Sequence, residues 1–187
     1  MSERCLQFAL EAGQSLPVHL GWRVNSGYIR ATGQTEFAEI FTVGIWGPGE
    51  IVMPELLSQQ PVELRALSTA SVHQWEPSDE ERQSCSLIQI KQMGMLLQLT
   101  RMRPVEARLF NLLLWLSARF GASHQGGHSL PLEAMNLTHR QLAEMASVSR
   151  VTVTKALGHF RQQGWLQQEG ALEILTAQGI RAFQAAG

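Results

Sequence analysis

The chain has 187 residues, 44% hydrophobic and 17% charged, which is enough apolar material for two small packed domains and excludes a disordered polymer. Its formal charge of −1 is unevenly spread: residues 1–86 carry −6, residues 87–120 carry +4 and residues 121–187 carry +1, an acidic half followed by a mildly basic one. Two cysteines, Cys5 and Cys85, exclude a disulfide framework or a four-thiolate cluster, and with no apolar leader after Met1 and no apolar run near the ~18 residues of a membrane span, the expectation is a cytoplasmic protein with no membrane partner.

Residues 6–77 have the rhythm of short strands. Val24, Tyr28-Ile29, Ile40-Phe41-Thr42-Val43 and Ile45-Trp46 are apolar or β-branched pieces, punctuated by Gly13, Gly21, Gly27, Gly33, Gly47-Pro48-Gly49 and Pro61. Turn signals at this spacing predict an antiparallel sandwich or roll. From Cys85 the period changes. Cys85, Ile88, Gln92, Met95, Leu99 and Met102 follow at intervals of 3, 4, 3, 4 and 3, the spacing of a helix that lays one seam against a partner helix. Leu87, Ile90, Gly94 and Leu97 form a second stripe beside it, expected to cover the strand domain. A single helix buried on both sides has the same pattern, so spacing alone leaves the dimer seam and the buried helix both open. Pro104 breaks the run, and a second helix reaches Phe120 with Val105, Leu109, Leu112 and Leu116 on one side. Gly121 closes that helix, and Gly126-Gly127 is expected to be a flexible loop.

The informative segment is Leu137 to Ile174. Thr138-His139-Arg140-Gln141 has the form of a capping box, opening a helix that holds Leu142, Ala143 and Ala146. Ser147-Val148-Ser149 makes a short turn ending in a second N-cap, Ser149. In the next helix Val153, Leu157 and Phe160 recur on one side, leaving Arg150, Val151, Thr154 and Lys155 outward. A helix with such residues in its first turns suits the major groove of DNA, where arginine bonds guanine O6 and N7 together and small hydroxyls bond phosphates. Gln163-Gly164-Trp165 ends the helix. Leu166 to Leu175 predicts a hairpin turning at Glu169-Gly170, a wing.

These residues resemble the C-terminal domain of the Crp/Fnr family, and Arg150-Val151-Thr152-Val153-Thr154-Lys155-Ala156-Leu157 is similar to its cyanobacterial nitrogen-control branch. Met102 to Gly121, with Arg108-Leu109 and Arg119-Phe120-Gly121, resembles the family's linking helix, and residues 85–102 its dimer helix. Glu11-Ala12-Gly13, Ser26-Gly27-Tyr28-Ile29-Arg30 and Gly47-Pro48-Gly49-Glu50 are similar to its β-roll. The implied fold is α+β: a truncated, cyclic-nucleotide-binding-like antiparallel β-roll over 1–84, a dimerisation helix over 85–103 and a winged helix-turn-helix over 104–187. The implied partners are double-stranded DNA with a palindromic site, a second copy of the chain and, for a regulator, RNA polymerase.

Carried over by position, Arg150, Val151 and Lys155 would contact bases, and Thr138, His139, Arg140, Ser149, Thr152 and Thr154 phosphates. Val151 stands where the cyclic-AMP-responsive members have glutamate; it cannot accept from cytosine but can touch a thymine methyl. His139 replaces a more usual basic residue, so its contact fades where the imidazole is neutral. Ser147 stands where glycine is the family norm and is strained if φ is positive. The wing sequence Gln167-Gln168-Glu169-Gly170 has no Lys or Arg for phosphate.

The family's cyclic-nucleotide cassette uses a Gly-Glu pair for the ribose and an Arg-Ser pair for the phosphate. Here Met53-Pro54-Glu55 has Pro in the glycine place, and the shortened segment Leu56–Leu64 holds no Arg before Arg65. A buried phosphate without a cation is costly, so binding of cyclic AMP in the family manner is not expected. No cofactor is expected and the effector is unassigned; Arg65 and Arg101 are the basic residues available to a 2-oxoglutarate-like acid. His19 and His73 are isolated on strands, and His124 and His128 lack a third ligand, which weighs against a cupin-like metalloenzyme. A structural dimer with a degenerate helix-turn-helix is the other alternative. Arg150 and Lys155 weigh against it, because a lost site has no need of outward donors.

Overall fold

In the computed structural model the described residues are 6–57, 62–170 and 172–184, and the chain divides into two compact units after Leu96. Cys5 and Pro61 lie outside the described residues.

The first unit is a β-roll. Its strands are β1 (Gln7–Leu10), β2 (Ser15–Leu16), β3 (Trp22–Ser26), β4 (Ile29–Gln34), β5 (Ile40–Trp46), β6 (Ile51–Val52), β7 (Val62–Ala66) and β8 (Ala70–Gln74), with a single 3-10 turn at Pro54–Leu56. They form two antiparallel four-stranded sheets, ordered β1-β8-β3-β6 and β2-β7-β4-β5. Alternation drives this: Trp22 and Val24 are buried while Asn25 is exposed, and Ile29 and Ala31 meet Ala66 and Leu64 across the β4–β7 ladder on the buried face. The core is built from Leu10, Trp22, Val24, Ile29, Val52, Leu64 and Val72 with their neighbours. Gly27 turns β3 into β4 at φ +74°, and a Cβ there would collide with the Thr69 carbonyl.

Helix α1 (Asp79–Arg101) starts before Cys85. The reason is a reciprocal cap: Ser78 Oγ accepts from the Glu81 amide at 3.3 Å, and Glu81 accepts from the Ser78 amide at 3.0 Å. That amide bond, ahead of those from Trp75 and Ser78 and the nearby Arg23 charge, holds the Glu81 carboxyl below the usual carboxylate range. Farther along, Gln89 and Gln92 lie against β5, the edge strand of its sheet. Gln89 donates to the Val43 carbonyl at 3.2 Å, and the Ile45 amide donates to Gln92 at 3.0 Å. Two carboxamides thus satisfy edge groups that an adjoining strand would otherwise claim.

The second unit holds α2 (Val105–Phe120), β9 (Ser123–His124), β10 (Gly127–Leu130), α3 (His139–Ala146), α4 (Arg150–Gln162), β11 (Leu166–Glu169), β12 (Leu172–Thr176) and α5 (Ala177–Gln184). The Gly126-Gly127 stretch is not the flexible loop that its glycines suggest. Residues 123–130 fold into a hairpin whose second strand pairs with β12, giving a sheet ordered β11-β12-β10-β9. Gly127 is required there because a Cβ would strike the Leu175 carbonyl. Leu109, Leu112, Leu116, Leu142, Val153, Leu157 and Phe160 are fully buried, and Phe183 of α5 stacks on Phe110 at 4.2 Å while meeting Phe160 edge-on. Among the described residues, no helix is long and apolar enough to cross a membrane.

Candidate nucleic-acid interface

Two caps and one left-handed residue fix the geometry of α3 and α4. Thr138 Oγ1 accepts from the Gln141 amide at 3.2 Å, and Gln141 Oε1 accepts from the Thr138 amide at 2.9 Å. Ser147 closes α3 at φ 50°, ψ 52°, with its amide donating to the Ala143 carbonyl. Ser149 Oγ then accepts from the Thr152 amide at 3.0 Å and starts α4. Arg108 of α2 secures this turn from below. It is 5% exposed, and its guanidinium donates to the carbonyls of Ala146 at 3.0 Å, Ser147 at 3.1 Å and Met102 at 3.2 Å. The first two are carbonyls at the C-terminal end of α3, where a cation is favoured. Composition and spacing give Arg108 no such role; its burial among Leu109, Leu112 and Leu116 in the folded chain is what reveals it.

On α4, Val153, Ala156, Leu157 and Phe160 are buried, and Arg150, Val151, Thr154 and Lys155 are exposed, Val151 to 62%. Among the described residues neither the Arg150 guanidinium nor the Lys155 ammonium has a hydrogen bond or ion pair within the chain. The hydroxyl-bearing residues are differently placed. Thr154 Oγ1 lies 3.1 Å from the Arg150 carbonyl, to which it can donate, and 2.9 Å from His139 Nδ1. This contact ties α3 to α4 and leaves His139 Nε2 without a partner among the described residues. Ser149 and Thr152 share a 2.8 Å hydroxyl contact, and Arg140 pairs with Glu144 at 3.0 Å. β11 and β12 form the wing, with Gln167, Gln168 and Glu169 exposed and Gly170 at φ +61°. At its base Arg161 of α4 pairs with Glu173.

The expected dimer seam needs correction. Gln92 is 2% exposed with its carboxamide on β5, and Leu99 is wholly buried, so neither can face a second subunit. Cys85, Met95 and Met102 are half-buried, and Ile88 is exposed. The second stripe, expected to cover the strands, lies on the opposite side of α1 and is the one left open: Leu87 is 54% exposed, Ile90 66% and Leu97 62%. Burial, then the nearby Glu81 and Glu50 charges, push the Cys85 thiol up, which keeps it protonated and a poor candidate for a disulfide between subunits.

In the roll, Glu55 pairs with Arg82 at 2.9 Å, and Arg65 pairs with Glu63 at 2.6 Å. His73 bonds Asn25 at 2.8 Å through Nδ1. Among the described residues no group of three or more His, Cys, Asp or Glu is placed to hold a metal ion.

Residues 107–183 match the Crp-like helix-turn-helix domain. The chain is 34% identical over 143 residues to the regulatory protein CysR of Synechococcus elongatus, covering 76% of this chain and 69% of that one. The chain belongs to the Crp/Fnr family of DNA-binding transcription regulators. A CRP-like cAMP-activated global transcriptional regulator of Mycobacterium tuberculosis is 36% identical over 72 residues, 38% of this chain and 31% of that one. In fold, the FixK2 protein of Bradyrhizobium japonicum superposes with a TM-score of 0.76 at 15% identity, covering 96% of each chain. A CRP-family regulator from Thermus thermophilus does so at 0.71 and 17% identity, covering 95% of each. The α+β reading of a roll followed by a helix-turn-helix is therefore correct.

Proposed function

We propose that this Crp/Fnr-family regulator acts as a homodimer that reads a palindromic DNA site through α4, without cyclic AMP. The observation that carries the reading is that Arg150 and Lys155 stand exposed and unheld in the first turns of a helix capped by Ser149. Arg150 takes a guanine edge, Val151 packs on a thymine methyl, and Lys155 reaches a further base. Thr138, His139, Arg140, Ser149, Thr152 and Thr154 line the flanks that approach phosphate. The mutual contact of Ser149 and Thr152 uses one hydroxyl proton and leaves the other to donate to a phosphate oxygen, and His139 Nε2 donates when the imidazole is protonated. The wing presents no cation, so affinity rests on α3 and α4 and is modest at high salt.

Dimerisation is assigned to Leu87, Ile90, Gly94 and Leu97. Their spacing of 3, 4 and 3 repeats a coiled-coil seam, and a two-fold pair buries this one stripe against itself. Independence from cyclic AMP is supported by Pro54 in the 3-10 turn and by Glu55 and Arg65 already engaged by Arg82 and Glu63. The chemistry is recognition, not catalysis, in the cytoplasm, with RNA polymerase the further partner if the regulator activates.

Selection of bound duplexes from a random pool tests the reading. An inverted repeat is expected; recovery of no preferred sequence would refute it. Calorimetry with cyclic AMP is expected to give no heat, and micromolar binding would overturn the effector claim.

A further inference from the structure

We propose that Gly158 is the point where the sugar–phosphate wall of the groove comes closest to α4, and that the DNA, not the protein, excludes a side chain there. The proposal rests on the reading of α4 as the recognition helix. A glycine inside a helix is destabilising relative to alanine, and some close approach ordinarily requires it. At Gly179 of α5 the cause is internal: a Cβ would lie 2.7 Å from that of Trp165. At Gly158 it is not. Among the described residues a Cβ there would meet nothing within 4 Å, and its φ is not in the left-handed range. Neither packing nor backbone conformation explains the residue.

Its position and surroundings suggest what does. Gly158 lies two helical turns beyond Val151 on the same outward line, flanked by the exposed Thr154, Lys155 and Gln162 and opposite the buried Val153, Leu157 and Phe160. Arg150 to Gln162 contains no carboxylate, Arg161 is taken up by Glu173, and Arg150 and Lys155 have no partner among the described residues, so this face suits a polyanion. Seven residues of helix advance about 10 Å, while the major groove is roughly 12 Å wide. If residues 150–155 meet base edges, Gly158 has left the groove floor and reached its wall. Bare backbone there lets the helix sit closer to the phosphates by about the width of a methyl group.

Such a contact positions the protein but carries no sequence information. The test compares the full-length chain with Gly158→Ala and Gly158→Leu, by mobility shift at low salt on a random-duplex pool and on the duplex enriched from it, alongside thermal melts. Alanine is expected to raise the melting midpoint by about 2–4 °C. It should weaken binding to both probes on the order of tenfold and leave the preference for the enriched duplex unchanged; leucine should abolish binding in a folded protein. Wild-type affinity in the alanine variant overturns the proposal alone, as does a lowered melting midpoint, which would show that the fold needs the glycine, or a selective loss of the preference. A wild-type chain that shifts no duplex overturns both this proposal and the DNA reading beneath it.

Discussion

Ser147 holds a left-handed conformation that costs an L-residue on the order of 1 kcal/mol, and its side chain is exposed. Ser147→Gly is therefore expected to raise stability by up to about 1 kcal/mol, read as a higher denaturant midpoint with an unchanged m-value. No gain would mean that the serine hydroxyl relieves the turn in a way its geometry does not suggest. Arg150 carries the opposite kind of prediction, since it does nothing for the fold. Arg150→Ala should leave the melting midpoint alone while costing about 1–3 kcal/mol on the preferred site and relaxing one base position. Unchanged selectivity in a repeated duplex selection would remove Arg150 from the base-reading set. Both residues were legible from sequence, because caps and turn residues act within a few positions of themselves. Arg108 was not, because its partners lie 38 and 39 residues away and only the folded chain brings them together.

Among the elements, α2 supports the helix-turn-helix through that buried arginine. Arg108→Met keeps the apolar stem and removes the fork, leaving the Ala146 and Ser147 carbonyls without their cation. A loss of roughly 2–4 kcal/mol is expected, measured by urea unfolding of the full chain; a loss under about 1 kcal/mol would mean that water replaces the guanidinium. The start of α1 has the same grammar as the start of α3: Ser78-Asp79-Glu80-Glu81 is a capping box as plain as Thr138-His139-Arg140-Gln141. Apolar spacing alone begins the helix at Cys85 because the first turns of α1 carry charge instead of a stripe. The 123–130 hairpin was hidden for a different reason. Two adjacent glycines look the same in a loose loop and in a tight turn, and what decides between them is the approach of Leu175, far along the chain.

For the whole molecule, the decisive ambiguity was which side of α1 faces a second subunit. Two stripes of the same 3, 4 spacing run along the helix, and periodicity cannot rank them. We propose the open side, because the carboxamides of Gln89 and Gln92 hold the other against β5. Ile90→Glu on the open stripe is accordingly expected to give monomers in sedimentation, with much weaker DNA binding and an intact fold by circular dichroism. A persistent dimer would move the interface elsewhere. The carboxamide of Gln92 has one more consequence. Because a strand at the margin of its sheet has its Ile45 amide shielded by a helix side chain and not by another strand, proton exchange at that single nitrogen reports how often α1 lifts away from the roll. Slow exchange that quickens in Gln92→Ala, with Trp22 and Val24 amides in β3 unaffected, would make Ile45 a built-in gauge of helix seating.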